Sequence, residues 1–293
     1  VTNTHISILE ASTSSKRRRA NAAANVWMVG SVVVALVPLA LVMYFVVVKG
    51  IGQLSAEWFT EPIPAVTRRP GPGMAPAIVG TLLITFGAAV MAVPLGVLGA
   101  IYLHEYGGKG KLASTLRFMT DVMTGVPSIV MGLFIYTIFT VSFGLAGIGG
   151  SLALAALMLP IVIRSTEEML KLVSDELRNG SYALGNRKWR TIVQVVLPTA
   201  LPGIISGVML AIARAAGETA PLLFTIGASR KINLSLFDGV NTALPMQIFV
   251  NAQQPFQGAQ DRAWGAALTL VGIVFVFTVL SRTVAARFSL GRD

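Results

Sequence analysis

The sequence predicts an all-α polytopic membrane protein with six transmembrane helices. Its composition is the first reason. Of 293 residues, 54% are hydrophobic and only 12% are charged, against about 25% charged in an average soluble domain. The second is where the charge is missing. Residues 26–48, 71–103, 122–163 and 263–281 carry no Asp, Glu, Lys or Arg, and a span needs ~20 mostly apolar residues. These runs, together with the apolar stretch 199–226 that only Arg214 and Glu218 interrupt, predict helices near 26–48, 77–103, 119–142, 148–165, 199–226 and 264–285. The third and fourth come from one long run, split by the glycine-rich turn at Gly144, Gly147, Gly149 and Gly150.

Taken in order, residues 1–25 read as a polar tail ending its charge run at Lys16–Arg19, and 26–48 as the first transmembrane helix. That apolar run exceeds the ~7–15-residue core of a signal peptide and is followed by Lys49-Gly50-Ile51, so it reads as a retained anchor. Residues 49–75 form a Pro- and Gly-rich extracytoplasmic loop. Residues 76–285 form the membrane core, and 286–293 a cytoplasmic tail. The core includes a second long outside loop, 227–263, where Leu244–Val250 reads as a short interfacial helix or a docking surface. Its charged loop 166–198 alternates Glu167, Glu168, Lys171 and Arg178 with Met169, Leu170, Val173 and Leu177. Such a segment is too polar to span and too apolar to lie free, which suits two amphipathic pieces along a bilayer or a partner.

The formal net charge of +10 does not point to nucleic acid, because the basic residues flank spans and form no long basic face with interleaved aromatics. With the N-terminus inside, 16 basic residues fall on inside segments and 6 on outside ones. That asymmetry puts both termini in the cytoplasm.

Enzyme chemistry finds no support. Neither Gly108-Lys109 nor Gly110-Lys111 completes a P-loop. The only histidines are His5 and His104, there is no cysteine, and His104-Glu105 does not extend to H-E-x-x-H, so no metal site is expected. His104 reads as an ordinary interfacial residue. Asp121 reads as a capping or interface charge rather than a proton relay.

Arg214 and Glu218 interrupt the apolar stretch Thr199–Ile226. A charge at mid-membrane costs at least ~2.5–3.5 kcal/mol, and positions four apart share a helix face. Three readings compete. The pair is structural, each charge neutralising the other; or Arg214 is a way-station for an oxyanion, which its planar fork of donors suits, with Glu218 tethering it and preventing over-tight binding; or Glu218 carries protons. Pro127, Pro198, Pro202 and Gly203 mark candidate hinges, with ordinary membrane-helix kinks as the alternative.

The loop 179–198 resembles the E-A-A-x-x-x-G-x9-I-x-L-P loop of ABC-importer permeases. Gly185, Leu197 and Pro198 match in identity and spacing, while Asn179 and Gly180 stand where Glu and Ala are the pattern. Gly125-Val-Pro-Ser-Ile-Val-Met-Gly132 and Ala213-Arg-Ala-Ala-Gly-Glu-Thr-Ala-Pro-Leu-Leu-Phe-Thr225 look like the phosphate-specific permeases of this superfamily, the A-type subunit more than the C-type. The resemblance covers roughly residues 75–285. It implies a type I ABC-importer permease core of the MetI-like kind, in the plasma (inner) membrane. It also implies partners: a homologous C-type subunit, an ATPase dimer holding ATP and Mg, and an extracytoplasmic phosphate-binding protein. No cofactor is expected on this chain.

The substrate path for inorganic phosphate would involve Arg214, Glu218, Thr219 and Arg164, the last at the exit or as a snorkelling boundary residue. Coupling to the ATPase would fall to Ser181, Tyr182, Gly185, Arg187, Lys188 and Trp189, with a basic helix on anionic membrane lipid as the alternative. Other oxyanions (sulfate or molybdate), and from another class an ATPase-independent anion channel or secondary transporter, are the competing functions.

Overall fold

The computed structural model describes residues 15–66, 71, 73–108 and 110–289. Most of the predicted N-terminal tail, Arg68, Arg69, Lys109 and the last four residues lie outside them. In chain order the helices are α1 (Ser15–Gly50), α2 (Ala56–Thr60), α3 (Ala75–Ile101), α4 (Lys111–Gly125), α5 (Ser128–Ile135), α6 (Val141–Phe143), α7 (Gly147–Lys171), α8 (Asp175–Ala183), α9 (Lys188–Thr191), α10 (Leu197–Ala216), α11 (Leu222–Thr225), α12 (Leu244–Ala252) and α13 (Gln257–Ser289). Three π-helical segments extend this set. Tyr102–Tyr106 prolongs α3, Tyr136–Thr140 joins α5 to α6, and Ile192–Val196 joins α9 to α10. Among the described residues there is no strand.

Five stretches are long and apolar enough to cross a membrane: Arg17–Gln53, Ala75–Tyr106, Gly147–Lys171, Lys188–Ala216 and Gln257–Leu280. The sixth is a pair of limbs, Lys111–Gly125 and Ser128–Phe143, bent by 106°. The all-helical, six-span class therefore holds, but the third predicted helix is broken rather than continuous. Pro127 is the cause. It pushes the residue before it out of the helical region, and Val126 sits at φ −71°, ψ 126°.

Helix ends differ from the apolar runs because hydropathy marks the lipid-crossing window, not where hydrogen bonding stops. The helix of α1 already runs through 15–25, inside the predicted tail. α7 continues past residue 165 to Lys171, where Lys171 lies 3.6 Å from Glu167 one turn back. The fifth span starts at Lys188 and stops at Ala216, not 199–226. The loop 166–198 is accordingly the end of one span, the short helix α8, and the start of the next.

The chain divides into two compact units, up to Val48 and from Lys49 onward. The described part of the first is α1 as far as Val48, with Trp27 and Val34 among its exposed apolar side chains. In the second, α3 packs chiefly on α7, and α10 on α7 and α13. The α3 contact is written at a spacing of four: Gly80, Ile84, Ala88, Ala92, Gly96 and Ala100 are all buried. Small residues at that spacing let helix backbones approach closely; a Cβ at Gly96 would lie 2.6 Å from Val162 Cγ1. The core continues through Leu154, Met158 and Val162 of α7 and Ala200, Ile204, Val208 and Ala211 of α10.

A second cluster joins Trp58, Ile63, Met74, Ala77, Leu244 and Ala266. The first outside loop thus folds inward. Ser55 caps α2 by accepting from Trp58 N–H, and Trp58 is fully buried, its Nε1 donating to Thr269 Oγ1 at 2.9 Å. Thr269→Val keeps the shape but strands that indole N–H, a loss of about 1–3 kcal/mol. The melting temperature in detergent is expected to fall by several degrees; an unchanged Tm would refute this. α12 forms where a short helix was expected, with Leu244, Pro245, Met246 and Gln247 buried in the core and Phe249 exposed.

Candidate functional site

α10 ends where its sequence stops supporting a helix. Gly217 is a poor helix former, and Pro221 has no N–H with which to continue the ladder. Arg214 therefore sits in the last turn of α10, where a cation is favoured by the exposed carbonyls, and Glu218 lies in the loop beyond. Arg214 Nε is 3.7 Å from Glu218 Oε1, with the side chains 69% and 21% exposed. This is a loose pair: the guanidinium remains largely free to bind something else. Their position at a helix end corrects the expectation of two charges within one unbroken apolar helix.

Both side chains line a cavity of about 210 Å³, with Met123, Thr124, Val126, Pro127, Ser128, Leu157, Pro160 and Ile161. It is large enough for several waters. Its wall contains the break between α4 and α5, so Pro127 lies at the break and at the cavity together. Ser128 is the first residue of α5, and a helix N-terminus presents free N–H groups and a positive partial charge to an anion. The loop after Glu218 is pressed on the same limb: a Cβ on Gly132 would stand 2.5 Å from Pro221 Cα. The two segments that carried the resemblance, 125–132 and 213–225, thus meet in space. Thr219 stands outside this lining; its carbonyl accepts from Leu222 N–H at 3.1 Å.

Arg164 is elsewhere on α7. It pairs with Asp121 of α4 and lines a second cavity of about 220 Å³, together with Arg117, Thr120, Glu167, Glu168 and Lys171. Glu167 is held by Arg117 at 3.3 Å and Lys171 at 3.6 Å. The two cavities succeed one another along the α4–α7 seam, since Thr120 and Asp121 line one and Met123 and Thr124 the other. Asp121, expected to act as a cap or interface charge, is the partner of Arg164.

The hinge candidates separate. Pro198 lacks the N–H that would bond residue 194, and its ring crowds that turn. The chain answers with the π segment Ile192–Val196, where Thr199 Oγ1 donates to the Val195 carbonyl at 2.6 Å. Pro202 lies inside α10 without ending it. Gly203 is a packing site, since a Cβ there would be 2.2 Å from Met169 Sδ.

The turn between α8 and α9 is internally stitched. Ser181 is buried, its hydroxyl 2.9 Å from Thr191 Oγ1 and accepting from Asn186 Nδ2 at 3.3 Å. Gly185 has φ +81°, a left-handed position that follows a helix end and suits glycine. Around this frame Tyr182, Leu184, Arg187 and Trp189 are exposed, with Arg190 over the Trp189 ring at 5.7 Å. Lys188 turns back instead: its ammonium donates to the Glu105 carbonyl and lies 4.9 Å from the Tyr106 ring.

Sequence reasoning missed the contacts around Arg178, which is bonded to Glu105 at 3.2 Å and lies 3.3 Å from His104 Nε2. No periodicity signals a pair 73 residues apart.

Comparison with known proteins agrees with this architecture. Residues 92–290 match the family model of the binding-protein-dependent transport system inner membrane component. The phosphate transport system permease protein PstA of Mycobacterium leprae (strain TN) is 46% identical over 265 residues, 89% of this chain and 87% of that one. PstA of Yersinia pestis is 42% identical over 272 residues, 92% of each chain. Among solved structures, the inward-facing MetNI methionine ABC transporter aligns with TM-score 0.56 at 18% identity, covering 73% of this chain and 93% of that one. A bacterial ABC transporter involved in alginate import aligns with TM-score 0.57 at 11% identity, covering 92% and 99%. The fold is that of ABC-importer permeases, and the chain belongs to the family of binding-protein-dependent transport system inner membrane components.

Proposed function

We propose that this chain is the A-type permease subunit of an ATP-driven importer of inorganic phosphate. A homologous C-type permease completes the path, an ATPase dimer supplies the energy with its own ATP and Mg, and an extracytoplasmic binding protein delivers phosphate. Both termini face the cytoplasm, in line with the positive charge on the inside segments, and the α8–α9 turn faces the ATPase. The observation that carries the reading is the largely free Arg214 guanidinium in a cavity walled by a helix break, in a chain 46% identical to a phosphate transport permease.

Phosphate passes Arg214 by charge-assisted bonds to the fork, and Glu218 keeps that hold loose enough for release. Arg164 follows along the α4–α7 seam toward the cytoplasm. On the turn, Tyr182, Leu184 and Trp189 are exposed apolar anchors and Arg187 a charged neighbour, the composition of a docking hot spot. Ser181 and Gly185 hold the turn's shape.

Reconstitution in proteoliposomes tests the whole reading. Phosphate is expected to accumulate only with the partner permease, the ATPase, ATP and the binding protein present. Combined Arg187→Glu and Trp189→Ala is expected to lower co-purification of the ATPase about tenfold or more. Uptake by the chain alone would overturn the proposal, and unchanged co-purification would remove the docking role.

A further inference from the structure

The α8–α9 unit is joined through the chain only to α7 and α10, yet the shielded Arg178 reaches beyond the unit to the end of α3 as well as to the end of α7. Arg178 is 11% exposed and Glu105 6%, and they lie 3.2 Å apart. The same guanidinium donates to the Leu170 carbonyl at 2.8 Å, to the Val173 carbonyl, and to Asp175 at 3.3 Å. On the other side of the turn, Lys188 donates to the Glu105 carbonyl and lies over Tyr106. Residues 104–106 are thus gripped from both flanks of the unit.

The gripped segment is the π-helical stretch Tyr102–Tyr106, and the unit's own exit into α10 is the π-helical stretch Ile192–Val196. Such wide turns recur at functional positions in helices. Exposed ion pairs contribute little and let go easily; this pair is shielded, and both terminal guanidinium nitrogens of Arg178 bond further acceptors, so it holds its geometry. α3 in turn carries the row of small residues packed on α7. A displacement of the unit therefore has a direct route into the α3–α7 pair, separate from the covalent route into α10.

We propose that Arg178 and Glu105 are positioning residues that fasten the α8–α9 unit to α3, so that motion delivered to the unit moves α3 and α10 together. This rests on the importer reading above. The competing role for Arg178 is a simple cap on the last carbonyls of α7. Glu105→Gln separates the two, because it removes the charge pair and leaves the Leu170 and Val173 contacts in place.

The experiment uses the full complex in proteoliposomes with inorganic phosphate, measuring uptake and ATP hydrolysis together. For Glu105→Gln, subunit assembly and ATP hydrolysis are expected to stay within about twofold of wild type, while phosphate moved per ATP falls about fivefold or more. Arg178→Lys, which keeps the charge without the fork, is expected to fall between, and serves as the test if Glu105→Gln does not assemble. An unchanged ratio of phosphate to ATP overturns the proposal. So does a parallel loss of both activities at constant ratio, which is the signature of a cap. A wild-type complex that moves no phosphate overturns the importer reading itself, and this proposal with it.

Discussion

Arg214→Gln is expected to cut phosphate uptake about 10- to 100-fold with the complex assembled normally. Hydrogen bonds to charged groups contribute about 1.5–3 kcal/mol each, and each 1.36 kcal/mol is a factor of ten in rate. The side chain is 69% exposed at its cavity and held only loosely by Glu218 at 3.7 Å, so its packing contributes little to the fold. Arg214→Lys keeps the charge but loses the planar pair of donors and should fall between. Glu218→Gln should move the other way on binding: a freer Arg214 holds the anion longer, lowering KM and kcat together. Radiolabelled phosphate uptake at matched expression decides the matter. Full activity of all Arg214 variants would exclude this side chain from the path, and a raised KM in Glu218→Gln would exclude the tether.

Gly80→Ala is expected to have the largest effect on folding. The residue lies on the buried face of α3, where a Cβ would stand 1.9 Å from the Thr242 carbonyl oxygen. The obstacle is main chain, which has no rotamer to escape into. The next residue tightens the constraint, because Thr81 Oγ1 accepts from Leu244 N–H at 2.8 Å. Relief requires moving α3 away from the 242–244 segment, breaking that bond and opening the packing of Trp58, Met74 and Leu244. Overpacking of a close-packed site costs about 1–3 kcal/mol or more. The amount of folded protein in the membrane, and the melting temperature of what remains, are expected to drop sharply. Normal yield and Tm for Gly80→Ala would show that the approach is not required.

Much of this fold was legible because hydropathy and charge report directly on what lipid allows. The six apolar runs, the split at Gly144 and the i, i+4 relation of Arg214 to Glu218 all came from local pattern. Helix ends were not legible, because Ser165–Lys171 and Lys188–Val196 are polar or mixed in composition yet remain helical. The angle at Pro127 was not legible either; proline predicts a disturbed helix, but whether it kinks or folds back is decided by what packs on each limb. Lys188 looked like an outward basic residue until Glu105 and Tyr106 were seen beside it. The walls of the Arg214 cavity, Thr124, Ser128 and Pro160, come from three separate helices, and nothing in one segment's periodicity records the others.

The broken third span has a consequence for how this cavity tolerates change. Neither limb, 111–125 nor 128–143, has the ~20 residues that cross the hydrocarbon unaided. Non-helical backbone within such a segment persists only against protein or water. Val126 N–H donates to the Met123 carbonyl and the Pro127 carbonyl accepts from Val130 and Met131. The last carbonyls of α4 and the first amides of α5, however, have no partner within their own helix, and that polarity belongs to the main chain, which side-chain replacement cannot delete. Scanning the cavity by alanine would find Arg214, which sets the sign of the charge, and would pass over the break, which keeps the place wet. Only a change that heals the bend, such as Pro127→Ala allowing one continuous helix, would remove that contribution.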